Sequence, residues 1–162
     1  MNYSPHVEPV PAPLWGVNMR SYMTKYEWTK FRKGIIAERG QKCETCGVEV
    51  ESRIQAHEDW EYDVLKVPAV ARLKRIALSC WLCHMVEHFG ALNMMVRNGE
   101  LGSEAIDDTI AHFCRLNGVD KKAFEKHHDE AFEVWEKQNG LKWIVDWGPY
   151  ADFMHGRPLI KG

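Results

Sequence analysis

Apolar positions recur at helical spacing in four stretches of the chain and at strand-like spacing in two. Tyr26, Trp28, Phe31, Ile35 and Ile36 follow a Thr24/Glu27 capping box and precede Gly40, which predicts a helix over 25–39. A helix over about 81–89 should stop at Gly90. Ile106, Ile110 and Phe113 form the stripe of a helix over 104–116 that Ser103 can cap and Gly118 follows. Phe124, Ala131, Val134 and Trp135 do the same for 121–138, between Asp120 and Gly140. Val48, Val50, Ile54 and Ala56 alternate, so a hairpin is expected between Cys43 and Tyr62, and residues 141–147 read as a short strand packed by Trp143 and Trp147. Residues 69–78, AVARLKRIAL, fit a basic helical turn or a strand equally well, and the tail from Gly148 reads as loop.

Four prolines within residues 1–14 disfavour helix and sheet, so the start is expected to be an extended arm. The expected architecture is α+β, in three parts: the arm over 1–20, a zinc-centred unit with its preceding helix over 21–90, and a helical extension over 91–162 packed on the same domain. No apolar run is long enough to span a membrane and the start lacks the plan of a signal peptide, which points to a cytoplasmic protein.

A reducing compartment changes the meaning of the five cysteines, because clustered thiols there bind metal more often than they form disulfides. Cys43-Glu-Thr-Cys46-Gly47 and Cys80-Trp-Leu-Cys83-His84 are two C-x2-C pairs, and four thiolates close a tetrahedral shell suited to a structural Zn²⁺. Cys114, beside Phe113, reads as a core residue. His84 and His88 stand four apart on the helix that opens at the second pair, so one face offers both imidazoles to a second metal. His57 ends an apolar strand expected beside that helix; His127 and His128 read as packing residues.

This run, C-x2-C-G, a strand ending in His57, and C-x2-C-H-x3-H on a helix, resembles the zinc-containing HNH endonucleases, or ββα-metal (His-Me finger) nucleases, over about residues 43–89. The resemblance implies a treble-clef zinc core, His57 as the base that activates water, and His84 and His88 as ligands of a catalytic divalent ion, Mg²⁺ or another. It further implies that the chain hydrolyses phosphodiester bonds in nucleic acid, DNA in preference to RNA. Two positions depart from the family pattern: Ala56 stands where it usually has an Asp or His ligand, and no Asn lies between Cys46 and Cys80 to orient the base. Glu58, on the same strand face as Ala56, is the candidate replacement ligand, and Asp59 or Asp63 the candidate orienting group.

Net charge is only −2, but Lys and Arg concentrate in 20–42 and 66–75 while 100–136 is acidic. Lys30, Arg32, Lys33, Arg72, Lys74 and Arg75 are therefore the candidate phosphate contacts. The competing expectation is a zinc module with little or no hydrolysis that binds nucleic acid or a protein partner.

Overall fold

A computed structural model describes residues 2–160; the outermost positions of the expected arm and extension, residues 1, 161 and 162, lie outside it. The predicted first helix forms as α1 (Lys25–Arg39). Glu27 N–H donates to Thr24 Oγ1 at 3.2 Å, Thr24 N–H donates back to the Glu27 carboxylate at 2.8 Å, and Gly40 ends the helix at φ +80°.

The sheet has three strands in the order β1-β2-β3: β1 (Gln55–Asp63) pairs antiparallel with β2 (Ala69–Ser79), and β3 (Trp143–Asp146) pairs parallel with β2. The hairpin thus sits about a dozen residues later than expected. Residues 43–50 form a tight knuckle joined by a single Lys42–Glu49 bridge, and the ambiguous 69–78 segment is the central strand. Its ambiguity has a physical cause: a strand covered on both faces loses clean alternation, and Val70, Ala71, Leu73, Ile76, Ala77 and Leu78 are all buried. A bulge between Asp59 and Trp60 shifts the β1/β2 register.

One face of the sheet and α1 enclose a first core of Met19, Met23, Ile35, Ile54, Leu73, Ile76, Leu78 and Met154. The expected loop after Gly148 contributes to it. Gly148–Tyr150 makes a 3₁₀ turn, α6 (Ala151–Met154) follows, and Ile76 N–H donates to the Tyr150 hydroxyl at 3.0 Å. A Cβ on Gly148, at φ +51°, would collide with the Leu73 carbonyl, so glycine is required there.

The helix expected over 81–89 is α2 (Trp81–Glu87); after a break at His88, a further helix, α3 (Phe89–Arg97), runs straight through Gly90. Gly90 is a packing residue and not a stop, since a Cβ there would stand 3.4 Å from Phe132 Cζ. Then come α4 (Glu104–Asn117) and α5 (Lys121–Asn139). Asp120 caps α5 through Ala123 N–H at 2.9 Å, whereas Ser103 adopts a helical conformation and its side chain accepts no helix N–H. A second core of Val7, Met85, Val86, Phe89, Leu92, Phe113 and Phe124 unites these helices with the arm. The arm is strapped down: Val7 N–H donates to His127 Nε2 at 2.9 Å, Ala12 N–H to Asn139 Oδ1 at 2.8 Å, and Trp135 Nε1–H to the Val10 carbonyl at 2.8 Å. No helix among the described residues is long and apolar enough to cross a membrane.

Glu58 is part of this framework. Its carboxyl accepts from Met19 N–H at 2.7 Å and Trp60 Nε1–H at 3.1 Å, and burial pushes it up to about 7. A carboxyl raised above its unfolded value favours the native state below about pH 4.5, and that contribution is lost as pH climbs through 7. Glu58→Gln removes the ionisation, so its stability relative to the parent should rise between pH 5 and pH 8, by an amount on the order of 2 kcal/mol after screening. Parallel pH profiles for parent and variant, by differential scanning calorimetry, would contradict this.

Candidate metal centres

Both cysteine pairs sit where backbone geometry converges their sulfurs. In the knuckle, Gly47 takes φ +76° while its N–H donates to the Cys43 carbonyl at 2.9 Å, and Glu44 N–H donates to the Leu78 carbonyl at 2.8 Å, which fastens the turn to the end of β2. Cys80 occupies the N-cap of α2 and Cys83 its first turn. The sulfurs of Cys43, Cys46, Cys80 and Cys83 all lie within 4.8 Å of one another, and Cys46 Sγ is 3.7 Å from Cys80 Sγ. A tetrahedral zinc with Zn–S of about 2.3 Å has sulfur–sulfur edges of about 3.8 Å, so this cluster fits that ion and is not disulfide-bonded. Crowding drives the thiols apart in acidity. Hydrogen bonds from Cys80 and Cys83 hold Cys43 far below a normal thiol, while the same bonds push Cys80 up to about 11 and raise Cys83. A divalent cation removes that conflict by stabilising all four thiolates together.

A helix from the extension reaches this cluster. Buried His112 of α4 lies with Nε2 3.1 Å from Cys83 Sγ, and Arg115 Nη2 is 2.8 Å from His112 Nδ1. Arginine can only donate, so Nδ1 accepts, the proton resides on Nε2, and Nε2–H points at sulfur as it would at a bound thiolate.

Beside the cysteines, β1 contributes His57, α2 contributes His84, and His88 sits at the break between α2 and α3. Ring centroids are 4.6 Å apart for His84–His88, 5.0 Å for His57–His88 and 5.4 Å for His57–His84, with one nitrogen from each within 4.8 Å of the others. Burial, aided by neighbouring imidazoles, depresses His57 to about 2 and His84 to about 3, and burial lowers His88 as well. All three are therefore neutral at pH 7 and able to ligate. His57 Nδ1 and His84 Nδ1 are buried without a hydrogen-bond partner, as expected of atoms that await a cation or a reactant.

Glu87, absent from the sequence-level candidates, completes the group. Its Oε2 stands 3.4 Å from His57 Nε2, has no hydrogen-bond partner, and belongs to a carboxyl that burial pushes up to about 8. Its only sequence signal is its position three residues after His84, on the same side of the helix. His112 gave a weaker one, as a histidine beside Phe113 on an otherwise apolar stripe.

The structure does not bring Glu58 to the imidazoles, because it projects from the opposite face of β1. Asp59 is turned to Arg75 at 3.2 Å. Among the basic candidates, Arg72 pairs with Asp146 at 2.8 Å, Lys74 with Glu61 at 3.6 Å, and Arg75 with Glu44 at 2.5 Å as well as Asp59. Lys30 and Lys33 are exposed on α1, and Arg32 grips the Ile54 carbonyl through Nη2 at 2.8 Å. Comparison of the chain with protein-family models, with curated proteins and with solved structures gives no match.

Cys43→Ser and Cys80→Ser should each lose the tightly held metal and unfold the chain near room temperature. His112→Ala should stay folded yet release its metal to a colorimetric chelator roughly 10- to 100-fold more readily than the parent. Metal release unaltered in His112→Ala, or an unaltered melt in the serine variants, would refute the assignment.

Proposed function

We propose that this chain is a metal-dependent endonuclease of the HNH type, built on a treble-clef zinc knuckle, that hydrolyses phosphodiester bonds in DNA. The observation that carries the proposal is the meeting of His57, His84, His88 and Glu87 in a recess next to a four-cysteine cluster. In this reading the cysteines hold Zn²⁺ for stability, and His84 and His88 hold a second divalent ion. Imidazole ligands favour Ni²⁺ or Zn²⁺ there over Mg²⁺. When bound, that ion would neutralise charge on the scissile phosphate and assist the departing oxygen.

The chain's own residues supply the rest. His57, neutral at pH 7, accepts a proton from the attacking water at its unpartnered Nδ1. Burial alone would leave it a feeble base; Glu87, 3.4 Å from Nε2 and itself pushed up to about 8 by burial, would stabilise the imidazolium once it has lost its own proton. Glu87 thereby takes the orienting role that the family gives to its missing Asn.

Because nitrogens of all three histidines lie within 4.8 Å of one another, His57 is also close enough to be a third metal ligand. That use would leave no base, and the protein would be a module that binds nucleic acid or a protein partner without cutting it.

Plasmid nicking across a metal series separates the two. The parent should nick in the presence of a divalent ion, with His84→Ala losing both activity and the weaker of two bound metals. His57→Ala should lose roughly 100-fold or more in rate while keeping both metals by mass spectrometry, and Glu87→Gln should lose rate to a smaller degree. Loss of the weaker metal in His57→Ala, together with an inactive parent, would establish the non-cutting module instead.

A further inference from the structure

We propose that the groove containing the histidines binds a single-stranded segment of polynucleotide, with Arg32 and Arg53 holding its phosphates and Trp15 stacking on a base. This deepens the nuclease reading by naming its substrate class, and rests on that reading for the place of the scissile phosphate. The groove, of about 1020 Å³, follows the free edge of β1, which is why residues from both faces of that strand, His57 and Glu58, line it. Its other walls come from the arm and the residues that follow it, from α1, from His84 and His88, and from Ala71 of β2 and Val145 of β3.

Charge selects a polyanion. Arg20, Lys25, Arg32 and Arg53 all line the groove, and none of them forms an ion pair with a carboxylate among the described residues. The cations of β2, by contrast, are all matched by acids. The Ile54 carbonyl engages two of the five N–H groups of Arg32, so the guanidinium is held in place with donors to spare. Arg53 adopts φ +61°, a left-handed conformation that a non-glycine residue takes at a cost, in the turn that leads into β1 at the groove. Two carboxyls oppose these charges. Glu58 is engaged by Met19 N–H and Trp60 Nε1–H, and Glu8 is 3.7 Å from His6.

Trp15 supplies the aromatic element. Its Nε1–H donates to the Val10 carbonyl at 2.9 Å and its ring is stacked at 21° on Trp135, yet it remains 64% exposed. An oriented and backed indole left open to solvent is a platform for a nucleobase. The strand must also be flexible, because His57 is only 8% exposed at the bottom of the recess and a phosphate has to bend inward to meet it.

Fluorescence anisotropy of a labelled 12-nucleotide single strand and of the matching duplex, titrated with purified protein without added divalent ion, tests this at several salt concentrations. The single strand should bind more tightly than the duplex. Arg53→Gly, which suits the φ +61° backbone, and Arg32→Ala should each weaken binding and reduce the log–log salt slope by about 0.7. Trp15→Ala should weaken it roughly tenfold with the slope unchanged, and Lys74→Ala should change neither. Tighter duplex binding, an unaffected Arg53→Gly, a dominant effect of Lys74→Ala, or no binding to either oligonucleotide would overturn the proposal. Failure of the nuclease reading alone would appear as intact single-strand binding without nicking. Failure of the groove alone would appear as nicking that Arg53→Gly leaves unchanged.

Discussion

Convergence of four sulfurs from two distant pairs is the constraint on which the rest depends. It ties residues 43–46 to 80–83 and so sets the knuckle, the end of β2 and the start of α2 in one fixed relation. His84 follows Cys83 directly and His88 lies one turn beyond, so their positions are dictated by the second pair. His57 comes to meet them because β1 is hydrogen-bonded along the strand that delivers Cys80; His57 stands opposite Ala77, three residues before that ligand. Cysteine cluster and histidine recess are thus two consequences of one closure.

Charge is distributed with the same economy. On the sheet, cations meet acids: Arg75 joins Glu44 of the knuckle to Asp59 of β1, and Arg72 joins β2 to Asp146 of β3. Exposed pairs of this kind add little stability singly, and their effect here is to leave β2 without surplus charge. Arg20, Lys25, Arg32 and Arg53, by contrast, line the groove beside the recess, and the buried imidazoles within it stay neutral.

The four clustered cysteines are legible in the sequence because C-x2-C spacing is a local property that survives any tertiary context. The same holds for the helices with strong terminal signals: Thr24/Glu27 and Asp120 state their own boundaries. What escapes local reading is settled by neighbours remote in sequence. Residues 69–78 are a strand because layers cover both faces, Gly90 continues a helix because Phe132 approaches it, and Glu58 turns away from the imidazoles because Met19 N–H and Trp60 hold it on the other face. Glu87 and His112 could not be singled out for the same reason, since their importance lies in contacts with His57 and Cys83 and not in any spacing of their own.

The strapped arm has a consequence for how the molecule is made. Its anchors, Asn117, His127, Trp135 and Asn139, leave the ribosome more than 110 residues after the segment they hold, while Glu8 N–H bonds the Glu87 carbonyl at the heart of the protein. The cysteine knuckle and the histidines can assemble as soon as α3 has emerged. The wall that carries Trp15 cannot be set in place until α5 is complete, so vectorial synthesis delivers the cysteine and histidine clusters first and their enclosing groove last.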